Sequence, residues 1–314
     1  MIEIFLDPQL LTDFLRTSLR LSVPIVFAAL GGVLAERSGV FNIGLEGMML
    51  AGAFGAAVGA FFFGGPFGGL VVGGLAGMMA ALILAVLGVT MRVNQIVTGI
   101  SINLLVLGVT SFLSRVVFGA QANTLNLVGF KPLAIPVLVT IPVAGPVLFG
   151  QDLLVYLMYV TVPLMMWLMF ATPWGLNIRA VGENPAAADM AGISVNRVRY
   201  LCVLGSGLLA GMGGSFLVLS QVFLFSENMS AGKGFIALAA VILGRWHPVG
   251  ALLACLLFGL FDALQLRLQF LNPEVPHEIF LALPYVVSIL ALVGLVGKPT
   301  APGAVGIHYR REAK

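Results

Sequence analysis

Hydrophobic positions along this chain come in long unbroken blocks separated by single charges, without the period-two alternation of strands. Between Glu46 and Arg92 lie 45 uncharged positions, between Arg92 and Arg115 22, between Asp152 and Arg179 26, between Arg199 and Glu227 27, and between Glu278 and Lys298 19. A helix needs about 20 mainly apolar residues to cross the hydrocarbon of a bilayer. The first block is therefore two spans joined by a turn at Gly64-Gly65-Pro66, and each of the others is one. Three further candidates are shorter. Leu21 to Ala35 must recruit residues around Arg16 and Arg20, Gly234 to Gly244 offers only 11 positions, and Trp246 to Phe261 follows Arg245. The pattern predicts an all-α, polytopic transmembrane bundle with about nine crossings, in the range of 8–10, over a single domain 1–314.

Composition agrees, with 60% hydrophobic and 9% charged residues. Soluble domains carry about 25% charged residues, so an ordinary cytosolic enzyme, a nucleic-acid binder and a disordered regulator are excluded. Cys202 and Cys255 sit inside apolar runs and read as buried hydrophobes. The start MIEIFLDPQL is acidic, its first cation is Arg16, and no small-residue cleavage pattern follows, so no cleavable signal is expected.

Orientation follows from Lys and Arg. With the polar stretch 173–199 in the cytoplasm and alternating spans, ten cations fall inside and six outside, which agrees with the positive-inside tendency. The N-terminus is then external and the tail 298–314 cytoplasmic. Pro132, Pro136, Pro142 and Pro146 argue against an ordinary span in 120–151, which reads as an external loop with short elements. Gly69, Gly73 and Gly77, Gly55 and Gly59, and Gly207 and Gly211 recur every four residues, the spacing that lets membrane helices approach closely.

The one extended polar insertion, TPWGLNIRAVGENPAAADMAGISVNRVRY, covers residues 172–200. Asn184 is a good N-cap, Pro185 suits the first helical position, and Gly192 suits a left-handed residue past the end. Ser194 would cap the next span, whose mouth Arg197 and Arg199 mark. Two helical turns with a small-residue surface thus stand outside the membrane, either docked in a partner's groove or simply solvated.

The Gly182-Glu183-Asn184-Pro185 turn, the following Ala-Ala-Ala-Asp-Met-Ala-Gly-Ile and then Arg-Val-Arg resemble the coupling loop of ABC importer permeases. Glu36-Arg37-Ser38-Gly39-Val40-Phe41-Asn42-Ile43-Gly44-Leu45-Glu46-Gly47 sharpens the match. So do Gly234-Phe235-Ile236-Ala237-Leu238-Ala239-Ala240-Val241-Ile242-Leu243-Gly244-Arg245-Trp246 and Asp262-Ala263-Leu264-Gln265-Leu266-Arg267. Together, over roughly residues 15–297, they resemble the branched-chain amino acid, ribose and nucleoside permeases, and among these the shorter permease of nucleoside (simple-sugar-like) importers. The resemblance implies a type II-like importer fold with short or broken helices in the cytoplasmic (inner) membrane. It implies a second homologous permease, forming a heterodimer, together with cytoplasmic ATPases and an extracytoplasmic solute-binding protein. It places Gly182, Glu183, Asn184, Pro185, Ala187, Ala188 and Gly192 against an ATPase. The sequence contains no GxxxxGK[ST] loop, so ATP is expected to be hydrolysed by partners and no cofactor to be bound by this chain.

Polar groups inside spans are candidates for the solute path. Asn42 and Glu46 are four apart and predict one helical face beside a glycine-rich, broken entry. The Gly232-x-Gly234-Phe-Ile start is a second short, Gly-interrupted element, and such pairs point to the central site of transporters. Asn94, Gln95 and Asn103 near the start of the fourth span, with Thr98 and Ser101, and Gln221 late in the sixth complete the set; the same groups also glue helices together. Mostly neutral donors and acceptors suit an uncharged, hydrogen-bonding solute such as a nucleoside. Glu36 and Arg37 read as marking a membrane edge, and Trp246 as an interfacial anchor. The alternatives are a gradient-driven carrier with Glu46 or Asp262 as proton site, an ABC permease for simple sugars or branched-chain amino acids, and an intramembrane enzyme. Against the last, none of the three histidines is paired with an acidic motif in a span.

Overall fold

The computed structural model describes residues 7–119, 126–271, 286 and 301–310. Among them all regular structure is helical, and seven helices are long and apolar enough to cross a membrane. Helix α1 (Pro8–Arg37) starts at Asp7, whose carboxylate accepts the Gln9 amide, and carries Pro24 within it. Its 30 residues absorb both Arg16 and Arg20, so the short run from Leu21 did recruit its neighbours. Arg20 is tolerated there because Asp152, 1% exposed, receives its guanidinium at 2.9 Å.

Helices α2 (Leu45–Phe63) and α3 (Pro66–Leu84) are joined by the expected glycine turn, with Gly64 at φ +65° and Pro66 in the first turn of α3. Helix α3 continues as a π turn, Ala85–Thr90. Then come α4 (Gln95–Phe118), the six-residue α5 (Ala144–Phe149) and α6 (Leu153–Ala171). Next are α7 (Pro173–Glu183), α8 (Pro185–Met190) and α9 (Val195–Phe216), the last extended by a π turn over Leu217–Val222. Helices α10 (Lys233–Leu243) and α11 (Pro248–Leu271) follow. The crossing expected between Glu278 and Lys298 lies outside the described residues, as do 120–125 of the proline-rich segment.

Helices α1, α2, α3 and α9 form the tightest cluster, with α10 and α11 packed on α1. Every residue of α1 from Leu21 to Glu36 is buried, which is why a helix of mixed composition holds the centre. The glycine stripes are the contact. A Cβ on Gly77 would collide with the Gly207 carbonyl and stand 2.6 Å from the Gly211 Cα, and one on Gly73 would stand 2.7 Å from the Gly52 carbonyl. In lipid, where apolar surface gains little by leaving its neighbours, such backbone proximity supplies the packing energy. The outer faces of α3 and α4 remain apolar and exposed, at Phe67, Val71, Met79, Leu104, Phe112 and Val116 among others.

Candidate functional site

The chain unwinds between α1 and α2. Residues 38–44 turn back into the bundle, and Asn42 donates through Nδ2 to the Ser206 hydroxyl at 2.9 Å. Ser206 lies 11 residues beyond Val195, about 16 Å along α9 at 1.5 Å per residue. Helix α2 therefore begins at depth, and α10 begins beside it. Glu46 Oε1 accepts from the Ser230 hydroxyl at 2.6 Å and the Gly232 amide at 2.8 Å, and Oε2 accepts from the Gly234 amide at 2.7 Å. A carboxylate thus closes the free amides at the positive end of a half-length helix. Gly234 is needed for the approach, because a Cβ there would strike the Glu46 backbone.

Other side chains hold the unwound backbone, which must be satisfied at membrane depth. Gln95 Oε1 accepts the Phe41 amide at 2.7 Å, Asn103 Oδ1 accepts the Gly47 amide at 2.8 Å, and Asn103 Nδ2 donates to the Ile43 carbonyl at 3.1 Å. Four of the expected path residues, Asn42, Glu46, Gln95 and Asn103, thus converge on one segment. Asn94 does not. It is exposed and caps α4 by accepting from Ile96 and Val97. Gln221 sits in the π turn at the far end of α9, its Oε1 buried without a partner among the described residues. Asn42 and Glu46 do not share a helical face, because Asn42 precedes the helix and Gly44 occupies its cap. Gly44 ends the unwound stretch. Ser206 and Ser230 were missed, since a serine in a Gly-rich run carries no distinguishing signal.

Helix α10 descends to the turn Arg245–His247, which grips the end of α1. Arg37 Nε donates to the Trp246 carbonyl at 2.8 Å, and the Trp246 indole N–H donates to Glu36 Oε2. Arg245 and Trp246 are both left-handed, at φ +55° and +53°, a strained pair that such bonds sustain. Trp246 is 5% exposed and Glu36 0%, so the tryptophan is a buried donor and not an interfacial anchor. Burial holds the His247 imidazole below its ordinary pKa, and Arg37 adds in the same direction. Trp246→Phe keeps an aromatic ring but loses the five-membered ring of the indole, and with it the donor to a buried carboxylate. We expect about 1–3 kcal/mol of lost stability, read as a lower thermal midpoint in detergent, with partial recovery on adding Glu36→Gln.

The Arg37 end of α1 also carries the polar insertion. Thr172 caps α7, accepting the Gly175 amide at 3.1 Å, so the apolar span ends at Ala171 and Pro173 starts a separate helix, at the point where the polar insertion was expected to begin. Asn184 caps α8 by accepting the Ala187 amide at 3.0 Å, Pro185 takes the first position, and Gly192 is left-handed at φ +85°. Ser194 stands at the next cap position but makes no side-chain cap bond. Of the expected docking residues, Glu183, Asn184, Ala187 and Gly192 are exposed and Pro185 half-buried. Gly182 and Ala188 face inward: a Cβ on Gly182 would strike the Arg37 carbonyl, and Ala188 is 4% exposed. The sequence reading passed over Met190, an apolar side chain 84% exposed at the end of α8. Among the described residues no group of His, Cys, Asp or Glu is placed to hold a metal ion.

Comparison with known proteins adds a family. The family described as "branched-chain amino acid transport system / permease component" matches residues 14–292. The chain is 39% identical over 310 residues to the guanosine ABC transporter permease protein NupQ of Bacillus subtilis, covering 96% of this chain and 97% of NupQ. It is 38% identical over 299 residues to the nucleoside ABC transporter permease protein NupC of Lactococcus lactis, covering 92% and 93%. A second guanosine ABC transporter permease protein of the same Bacillus strain, NupP, is 28% identical over 302 residues, covering 93% of this chain and 86% of NupP. No solved structure matches.

Proposed function

Because the chain belongs to the branched-chain amino acid transport permease family, we propose that it is one permease of an ABC importer that carries nucleosides into the cell. The chain is a multi-pass membrane protein and a transport subunit, without a phosphate-cradling loop of its own. The observation that carries the importer reading is α8, capped at its start and closed by a left-handed glycine, standing proud of the bundle and braced through Gly182 on the end of α1. Partner ATPases that bind and hydrolyse ATP push on this helix, and the bundle rocks between inward- and outward-open states. Glu183, Asn184, Pro185, Ala187 and Gly192, with Met190, form the docking surface, and Gly182 and Ala188 join it to the bundle.

Nucleosides are the solute because the relatives at 38–39% identity are named for guanosine and nucleosides. That NupQ and NupP both match this chain, at 39% and 28%, supports a heterodimer with a second homologous permease. An extracytoplasmic binding protein delivers the solute, and lipid covers the apolar outer faces. The α7–α8 end is cytoplasmic, and α1 then carries its Pro8 end to the external side. The solute passes beside the 38–47 segment, where Asn42, Gln95 and Asn103 offer hydrogen-bonding groups once the segment shifts, with Asn94 and Gln221 towards the two ends.

Uptake of radiolabelled guanosine in a strain deleted for the chain, restored by its expression, tests this reading. Competition by other nucleosides but not by ribose or leucine is the expected result. Uptake by the purified chain alone in liposomes, driven by an ion gradient without nucleotide, would overturn it in favour of a secondary carrier.

A further inference from the structure

Residues 301–310 return to the end of the bundle that carries α7 and α8 and lie across it as an irregular strap. The Ala304 amide donates to the Gly182 carbonyl at 2.8 Å and the Gly306 amide to the Gly39 carbonyl at 3.2 Å. The Gly303 amide donates to Glu183 Oε2 at 3.1 Å. From α9, Arg199 holds both sides of this junction. Its Nε donates to the Ser38 carbonyl at 3.2 Å and one Nη to the Ile307 carbonyl at 3.0 Å. Arg199 is 1% exposed and Ala304 4%, so this is a buried seam. A guanidinium out of water is costly to place. Nε and one Nη of Arg199 meet backbone carbonyls, while the other Nη is buried without a partner among the described residues. Here the side chain fixes two chain segments in one register.

The seam has a direction. On one side it grips Gly182 and Glu183, the residues leading into α8. On the other it grips Ser38 and Gly39, which begin the unwound stretch that runs through Asn42 to Glu46. We propose that the 301–310 strap and Arg199 are positioning elements of transport, making the α7–α8 loop and the 38–47 segment move as one body. Displacement of α8 then reaches the Glu46 junction. This rests on the importer reading above. From the sequence alone, 298–314 is expected only as a cytoplasmic tail.

Gly306 offers a clean test because it is left-handed, at φ +78°, and the nearest atom to an added Cβ is the Phe41 Cβ at 4.0 Å. A β-branched residue there is strained without a clash, whereas asparagine tolerates the conformation. The experiment uses the whole transporter in proteoliposomes, this chain with its partner permease, ATPase and binding protein. Gly306→Val, Arg199→Gln and a chain ending before Ala301 should each lower maximal guanosine uptake by about tenfold. The half-saturating concentration should stay unchanged, ATP hydrolysis should continue and ATP used per solute should rise. Gly306→Asn should restore the parent value. Uptake by Gly306→Val or the shortened chain at the parent level would overturn the proposal. So would loss of the assembled complex in both, which would make the strap an assembly element. ATP-dependent uptake by the parent persists if only the strap idea fails and is missing if the importer reading fails.

Discussion

Glu46→Ala is expected to abolish uptake while leaving the chain in the membrane. One carboxylate receives the Ser230 hydroxyl and the Gly232 and Gly234 amides, and the substitution leaves all three donors orphaned in a site only 7% exposed. Hydrogen bonds to a charged group contribute about 1.5–3 kcal/mol each. The charge also complements the positive end of α10. Removing it frees the start of α10 from α2, and these two helix ends are the point at which the bundle is interrupted at depth. The long helices around them keep their own contacts, so insertion survives. Glu46→Gln retains one accepting oxygen and should fall between parent and alanine, both in guanosine uptake and in thermal midpoint. Equal activity of Glu46→Ala and parent would remove the junction from the mechanism.

Met190→Asp should uncouple transport from ATP hydrolysis. Met190 is 84% exposed, so little among the described residues packs on it, and its replacement should not disturb the bundle. A methionine buried in a partner groove contributes about 1.5–3 kcal/mol, and an aspartate in its place adds the cost of an unpaired buried charge. Uptake should drop by about tenfold or more at equal membrane abundance. Glu183→Arg should act in the same direction with a second cause. It reverses a charge on the surface proposed to dock the ATPase and also cuts the bond from the Gly303 amide.

What could be read from the sequence was whatever depends on near neighbours. The Gly64-Gly65-Pro66 turn, the Asn184 cap with Pro185, the left-handed Gly192 and the four-residue glycine spacing each need only a few consecutive residues to be recognised. The long apolar blocks likewise announced the spans, and α1 showed how two arginines can be carried within one. What escaped was pairing over distance. Glu46 meets Ser230 across 184 positions and Glu36 meets Trp246 across 210. An interfacial tryptophan and a buried indole donor look alike until a carboxylate is seen beside the ring. Asn42 was assigned to a helical face because four-residue spacing implies one only if the helix has already begun, and it begins at Leu45. The polar insertion was legible from Thr172-Pro173 onward, but its local signals spelled only the short α8 and not the helix Pro173–Glu183 before it.

Site-directed cross-linking through Met190→Cys probes the central claim, that α8 is where another subunit's work enters this chain. The native Cys202 and Cys255 are buried and do not compete. In membranes holding the whole transporter, a cysteine at 190 should cross-link to the ATPase with an efficiency that changes when nucleotide is added, and the ATPase should shield it from a water-soluble maleimide. A cysteine that labels equally fast with and without the ATPase, and never cross-links to it, would contradict the account.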